Sequence, residues 1–236
     1  MRKMSAAMKM PTIKKTAIMV DGGFYRTRAR SLWGDVSPEK RAKEMMDYCH
    51  KHINNSPEPR DLHRIFYYDC PPLDIKLSHP LTGKTVNTAM LPSNNWSTGF
   101  HNALREQAKL ALRMGELSLG HAKYILKPST VSDLIDSKLD IKNITEDDFI
   151  TNVKQKGVDL RIGLDAASLA YGRYVNQIIL IAGDSDFIPV AKMARRNGLI
   201  IILDPLQNHV KPSFIEHVDG IESYIEVEDD EKSSNL

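Results

Sequence analysis

Two aspartates, Asp184 and Asp186, separated by a single serine, are the first indication of chemistry in this chain. They follow the aliphatic run Ile178–Ala182, which is typical of a strand buried on both faces of a parallel sheet. The next segment, Ile188–Asn197, has helical character, and Gly198 is placed to end that helix. Open α/β sheets bind their ligands at the carboxyl ends of such strands. The pair therefore predicts a divalent-metal site at that edge of the sheet.

Two further aspartates occupy comparable positions elsewhere in the chain. Asp21 follows the β-type run Thr16–Val20 and precedes two glycines, which let the backbone approach a ligand closely. Asp159 lies in the first turn of a helix predicted to continue to about Tyr174. All four acids are at the ends of elements, where an α/β fold can bring them together; they are Asp21, Asp159, Asp184 and Asp186.

Converging carboxylates repel one another, so such a cluster requires a compensating charge. Two unit charges about 4 Å apart repel by roughly 4 kcal/mol at an effective dielectric of about 20. Protonation of some carboxylates or binding of a cation between them removes that cost. Because the ligands are all oxygen atoms, they favour a hard ion, Mg²⁺ or Mn²⁺, over zinc.

Helix capping is the alternative role for each of these acids, because an aspartate after a strand commonly caps the next helix. One cap suffices per helix, so the presence of both Asp184 and Asp186 favours the metal interpretation. Asp159 alone supports either role equally.

Three further residues are expected either to support the metal ligands or to be weaker candidates for ligands themselves. Asp165, further along the helix that contains Asp159, and Ser185, between the paired acids, are expected to support the ligands rather than bind the ion. Asp69 ends the strand-like run Arg64–Tyr68, but a Pro-rich turn follows it and makes it a weaker candidate.

Three motifs in combination resemble the NYN domain of the PIN-like nuclease superfamily. They are DGG at 21–23, KGVD at 156–159 and GDSDF at 183–187. The segment 156–204 is most similar to the LabA-like branch of that family. The resemblance covers about residues 15–72 and 154–206.

This resemblance implies both a fold and an activity. The fold is an α/β, Rossmann-like three-layer α/β/α sandwich with a mostly parallel central sheet. The activity is that of a metal-dependent endoribonuclease, which hydrolyses RNA phosphodiester bonds at a Mg²⁺ or Mn²⁺ site. The catalytic and metal-binding residues that the resemblance implies are Asp21, Asp159, Asp184 and Asp186.

Two other functions remain open. Family members commonly have Asn three residues after the first acid, whereas this chain has Phe24, which cannot hydrogen-bond a phosphate. The second hypothesis is therefore an RNA-binding or regulatory NYN module with weak or no catalysis. The third is a haloacid-dehalogenase-like phosphohydrolase, because residues 183–186 resemble a late acidic motif of those enzymes. The nucleophile motif of those enzymes needs a second acid after the first strand, and this chain has glycines there.

Basic residues near the motifs are candidates for RNA contacts. Arg26 and Arg30 share a helical face directly after Asp21, where they can hold a phosphate backbone, although a solvated helix face explains them as well. Trp96, in a turn-rich segment, is available to stack a base or to pack against the domain. The remaining candidates are Lys156, Arg195 and Arg196.

Length and composition are typical of one cytoplasmic domain. The 236 residues are 42% hydrophobic and lack any apolar run near the ~20 residues of a membrane span. Two cysteines provide no disulfide framework, which predicts a reducing compartment. We expect a basic tail at 1–14, one domain at 15–227 and an acidic tail at 228–236. Irregular insertions are expected near 71–100 and 127–145, and self-association is left open.

The middle of the chain and its end give weaker signals. The pattern predicts a helix over 102–114, a strand over 121–127, a helix over 146–156 and a final edge strand over 223–227. Three histidines of the middle segment are expected on the solvated surface; they are His79, His101 and His121.

Overall fold

The computed structural model describes residues 12–225. The expected basic tail therefore lies outside the described residues except for 12–14, and the acidic tail at 228–236 lies wholly outside them.

The described chain alternates strands with helices over most of its length. The strands are β1 (Lys14–Asp21), β2 (Arg60–Asp69), β3 (Lys76–Ser78), β4 (Thr85–Asn87), β5 (Leu110–Met114), β6 (Glu116–Leu117), β7 (Lys123–Leu126), β8 (Phe149–Asn152), β9 (Gln155–Lys156), β10 (Gln177–Ile181), β11 (Ile200–Asp204) and β12 (Gly220–Ile221). The helices are α1 (Gly22–Trp33), α2 (Pro38–Asn54), α3 (Pro92–Arg105), α4 (Pro128–Ile135), α5 (Val158–Tyr171), α6 (Ile188–Arg196) and α7 (Pro212–Ile215).

Six strands form one central sheet in the order β12-β11-β10-β1-β2-β5, and every neighbouring pair is parallel. Strand β1 lies in the middle, with Val20 beside Ile181 of β10 and Tyr67 of β2. All five residues of β10 are buried, as expected for an aliphatic strand covered on both faces.

Helices cover both faces of this sheet. On one face, Met19 and Leu180 pack with Ile162 of α5 and with residues of α6 and α7. On the other face, Ile18 and Ile179 pack with residues of α1, α2 and α3. The predicted α/β sandwich with a parallel central sheet between two helical layers is confirmed.

The predicted helix over 102–114 is wrong, because α3 begins ten residues earlier and β5 occupies 110–114. Pro92 stands at the first helical position, which its fixed φ suits. The apolar residues that follow are spaced four apart and pack on the core; they are Trp96, Phe100 and Leu104. The region 71–100, expected to be irregular, thus contains the antiparallel β3–β4 hairpin and the first part of α3.

The predicted helix over 146–156 is also wrong. Thr145 and Asp148 form the capping box that the pattern predicts, but it starts only the single 3₁₀ turn Glu146–Asp148. The chain then extends into β8, which pairs with β7 in antiparallel register, and into β9. Cross-strand pairing therefore overrides the local helical signal.

Three smaller predictions have different outcomes. The strand predicted over 121–127 is present as β7. The final strand occurs earlier than predicted, at β12, and residues 222–225 are not in a strand. The insertion at 127–145 contains α4. Within residues 12–225, every helix is too short or too polar to cross a bilayer.

Candidate active site

The first and third motifs lie side by side at the carboxyl edge of the sheet. Asp21 ends β1, and Asp184 follows β10, the neighbouring parallel strand. The Oδ1 atom of Asp21 accepts hydrogen bonds from the backbone N–H groups of Gly23 at 3.1 Å and Phe24 at 3.2 Å. The Oδ1 atom of Asp184 accepts one from the N–H of Asp186 at 3.0 Å. Both residues therefore act as N-caps, as the alternative interpretation anticipated, and each cap uses Oδ1.

Glycine is required where α1 starts against β2. A Cβ added at Gly22 would lie 2.5 Å from the carbonyl oxygen of Tyr68 and 2.7 Å from the ring of Tyr67. The helix that follows Asp21 can approach β2 this closely only because residue 22 has no side chain.

The second motif brings the third acid to the same edge. Gly157 precedes α5 with φ of 77°, a left-handed conformation that favours glycine. That turn directs the chain into α5 and places Asp159 in its first turn, exposed to solvent.

The four acids interact electrostatically. Although Asp159 is exposed, partial desolvation by its neighbours raises the pKa of its carboxyl above the ordinary value, and the charges of Asp184 and Asp186 raise it further. Burial likewise raises the pKa of Asp21; hydrogen bonds from Phe24 and Gly23 oppose that shift, while the charge of Asp159 adds to it. Asp159 thus connects the Asp21 turn with the turn containing Asp184 and Asp186.

Ligation of an ion would require side-chain rotation. As the side chains stand in residues 12–225, no three acidic, imidazole or thiol groups are placed to share a metal ion. Asp159, Asp184 and Asp186 are exposed, so their carboxylates are free to turn towards a common point. The donor set is composed only of carboxylate oxygens and therefore fits a hard divalent cation.

The residues expected to support the ligands have polar partners of their own. The Oδ2 atom of Asp165 accepts hydrogen bonds from the hydroxyl of Tyr68 at 3.0 Å and from Nε of Arg113 at 2.9 Å. The ammonium group of Lys211 donates to Oγ of Ser185 at 3.2 Å. Lys211 places a positive charge beside the paired acids. Lys211 reaches Ser185 because the loop after β11 folds back towards the paired acids. No periodic pattern in the sequence indicates this contact.

Asp69 is buried and fully engaged in polar contacts. Its Oδ1 accepts from Nη2 of Arg26 at 3.0 Å and from the N–H of Cys70 at 2.8 Å. Its Oδ2 lies 2.9 Å from Nε2 of His101. Asp69 therefore fixes the position of Arg26 instead of presenting a free carboxylate to an ion.

The expectation that the histidines are solvated is wrong for two of them. His101 is buried against Asp69. His79 is buried between the rings of Tyr124 and Phe149, each 4.8 Å away between centroids. Both serve packing within the domain, and the side chain of His121 lies outside the described residues.

The predicted RNA-contacting residues separate into two groups. Arg26 and Arg30 lie on α1 directly after Asp21, and Lys156 is exposed at the turn before Asp159. Arg195 and Arg196 are at the far end of α6, whose nine residues rise about 13 Å away from the acidic turn. Arg195 pairs there with Asp219 at 3.0 Å. The structure does not bring these two arginines to the acidic site.

Comparisons with known proteins give one family match. A family model described as the NYN domain matches residues 98–224, more than half of the chain. The matched segment contains Asp159, Asp184 and Asp186, while Asp21 precedes it. A solved structure of a protein of unknown function from Vibrio parahaemolyticus is similar at 14% identity and a TM-score of 0.48, over 91% of this chain and 94% of that one. No curated protein matches the chain significantly.

Proposed function

This chain belongs to the NYN domain family, and we propose that it acts as a metal-dependent endoribonuclease of the LabA-like type. NYN membership makes it a member of the PIN-like nuclease superfamily. One observation supports the proposal most strongly: Asp21 and Asp184 follow the neighbouring parallel strands β1 and β10 at one edge of the sheet. Beside them, the charges of Asp184 and Asp186 add to the desolvation that raises the pKa of Asp159. Repulsion of this kind, at the ligand-binding edge of a parallel sheet, favours a bound cation.

The acidic residues fit Mg²⁺ or Mn²⁺ by the chemistry of their donor atoms. In this proposal the ion is held by Asp21, Asp159, Asp184 and Asp186. A bound divalent cation supplies Lewis acidity towards water and the phosphodiester group.

The chain's own residues bind and position the RNA. Asp21 is held in place by two backbone N–H groups, so its carboxylate is oriented before any ligand arrives. Arg26, fixed by Asp69, directs a guanidinium group towards the phosphate backbone, and Lys211 adds a positive charge beside Ser185. Asp165 positions Arg113 near the same edge. Arg30 and Lys156 contact RNA further out, while Arg195 and Arg196 are too far from the acids to reach the scissile phosphate.

The unit proposed to carry this activity is a single NYN domain over residues 15–227. Both cysteines, Cys49 and Cys70, are buried free thiols, which supports a cytoplasmic location.

The test is a cleavage assay with single-stranded and structured RNA in the presence of Mg²⁺ or Mn²⁺. Cleavage is expected to stop when excess chelator is added. It is also expected to stop in Asp184→Asn and in Asp186→Asn, and the melting temperature of each variant should differ little from that of the wild type. Asp61→Asn is the matched control, because Asp61 is exposed at the amino end of β2, opposite the acidic edge. Cleavage that persists in chelator, or in either variant, would contradict the proposal.

Phe24 favours a second candidate, an RNA-binding or regulatory module without turnover. A phenyl ring offers no hydrogen bond where family members commonly have Asn. Several RNAs that bind without being cut, in either metal, would establish this second function. A haloacid-dehalogenase-type mechanism has no support, because Gly22 and Gly23 start α1 where its second acid would be.

A further inference from the structure

A groove of about 480 Å³ lies between α1, the loop that follows it and the start of α3. One end of it is lined by Gly23, which follows Asp21 by two residues and donates its backbone N–H to the Asp21 carboxylate. Its volume is within the range of small-ligand pockets. The residues that matter for its chemistry are Gly23, Arg26, Arg30, Ser93, Trp96 and Ser97.

Two arginines give the groove a positive wall. Arg26 is bound by the buried carboxylate of Asp69, and its Nη1 reaches Oγ of Ser97 at 3.4 Å. Among residues 12–225, Arg30 is paired only with Asp35, and both side chains are more than 70% exposed. An exposed pair of this kind is weak, so an incoming phosphate can replace the Asp35 carboxylate.

A third arginine at the groove, Arg41, has a structural role. Its side chain is 3% exposed. Its guanidinium group donates to the carbonyl oxygens of Ala29 and Gly34 and to Glu44. Arg41 is therefore committed to holding α1 against α2, and only Arg26 and Arg30 are available to a ligand.

Trp96 gives the groove an aromatic wall. Its Nε1–H donates to the carbonyl oxygen of Val36 at 2.8 Å. Its ring stacks on Phe100 with centroids 5.1 Å apart and an angle of 19° between the planes. The indole is thus held in one orientation while remaining partly exposed at the groove. A fixed aromatic ring beside arginines is the combination that binds single-stranded nucleic acid through base stacking and phosphate contacts.

We propose that the α1–α3 groove holds the unpaired nucleotide next to the scissile phosphate, so that the enzyme acts on single-stranded RNA. This inference rests on the proposed ribonuclease function and specifies its substrate. Arg26 and Arg30 bind the phosphates of that nucleotide, and its base stacks at Trp96. A paired base in a duplex does not expose its face for such stacking.

Fluorescence of Trp96 tests the proposal directly. The chain has two tryptophans, so Trp33→Phe leaves Trp96 as the only reporter. Phenylalanine retains an aromatic ring beside Tyr25 and Tyr48. In this variant, combined with Asp184→Asn to prevent cleavage, a single-stranded oligouridine is expected to quench the fluorescence. A blunt RNA duplex of the same length is expected to leave it unchanged.

Charge reversal supplies the matched comparison. Arg30→Glu is expected to weaken oligouridine binding at least tenfold and to abolish quenching. Arg173→Glu is the control, because Arg173 is exposed after α5 at the opposite end of the sheet. Equal quenching by duplex and single strand, or equal effects of the two reversals, would overturn the proposal.

The result also separates this inference from the ribonuclease function. Metal-dependent cleavage without quenching, or without an effect of Arg30→Glu, would reject the groove and leave the nuclease intact. Quenching that depends on Arg30 in the reporter variant, together with a wild-type protein that never cuts RNA, would support the groove as a binding site and reject the nuclease.

Discussion

The ring of Phe24 lies against the α-carbon of Gly183, where an added Cβ would be 2.3 Å from Cε2 of the ring. Phe24 belongs to the turn after Asp21, and Gly183 starts the turn that contains Asp184. This contact therefore packs two acid-bearing turns together at the point where family members commonly have a polar side chain. The departure from the family pattern thus has a packing role in this chain.

Gly183→Ala is expected to destabilise the protein, because a methyl group cannot occupy the space taken by the Phe24 ring. Overpacking of this kind costs about 1–3 kcal/mol. Urea unfolding measures the change, and Gly120→Ala is the control, since an added Cβ there meets nothing within 4 Å. If both variants unfold at the same urea concentration, the ring does not hold this position.

Phe24→Asn is expected to raise the rate of RNA cleavage several-fold while lowering stability by about 1–3 kcal/mol. The amide restores a group that can hydrogen-bond a phosphate, whereas the lost ring leaves Gly183 without its packing partner. The measurement is kcat/KM in Mn²⁺ alongside urea unfolding. Phe24→Leu keeps an apolar side chain and serves as the control. Equal cleavage rates in the two variants would show that the ring does not limit activity.

The sheet and the acidic edge were predictable because their signals are local. Uninterrupted aliphatic runs at 178–182 and 200–203 indicate buried parallel strands, and acids directly after such strands must meet at one edge. The short antiparallel pairs of the middle segment were not predictable. Strand β8 is defined by its pairing with β7, more than twenty residues away, and the residues directly before it carry a helical capping signal.

The contacts among the supporting residues of the site were missed for a related reason. Asp69, His101 and Arg26 come from three separate elements and meet only in the folded structure. No spacing along the chain indicates such a contact. Sequence reasoning therefore located the candidate ligands but not the network that orients the basic residues around them.

Asp159→Asn is expected to stabilise the metal-free protein near neutral pH. The raised pKa of Asp159 means that folding favours its protonated form. Its contribution to stability is therefore present below the ordinary carboxyl pKa of about 4 and is lost as pH rises through the raised value. Asparagine does not ionise, so the variant avoids this loss of stability. In chelator, the melting temperature of Asp159→Asn should therefore exceed that of the wild type at about pH 7 but not near pH 4.

The same variant should respond less to metal. We expect Mn²⁺ to raise the melting temperature of the wild type by relieving the repulsion, and we expect a smaller increase in Asp159→Asn. Asp61→Asn, at the opposite end of β2, should behave as the wild type in both measurements. An unchanged response of Asp159→Asn to Mn²⁺ would exclude Asp159 from the metal site.

Asp69→Asn is expected to raise KM for RNA more than it lowers kcat, because Arg26 loses the charge that holds it in position. Asp69 is buried but the side chain of Arg26 is 27% exposed, so breaking the pair also costs about 1–3 kcal/mol of stability. Asp35→Asn is the matched comparison, since the exposed pair of Asp35 with Arg30 contributes at most about 1 kcal/mol. Steady-state kinetics and urea unfolding separate the two effects, and similar stability losses in both variants would contradict the assigned role of Asp69.

Asp204→Ala is expected to give the largest loss of stability among these variants. Asp204 is fully buried at the end of β11. Its carboxylate accepts hydrogen bonds from the Tyr48 hydroxyl at 2.5 Å, the Leu206 N–H at 2.8 Å and the Ser223 hydroxyl, and lies 2.7 Å from Nε2 of His52. Removing it leaves the buried groups of Tyr48, His52 and Leu206 without their acceptor.

The loss should reach about 3–5 kcal/mol, because unsatisfied buried polar groups bear the full cost of leaving water. The turn after β11 adds to it, since Leu206 has φ of 46° and depends on Asp204 and on Arg28, which donates to its carbonyl oxygen at 2.9 Å. Asp136→Ala removes an exposed partner of Lys138 and should cost no more than about 1 kcal/mol. Urea unfolding of both variants decides the matter, because a loss near that of Asp136→Ala would mean that the buried network does not stabilise this edge of the sheet.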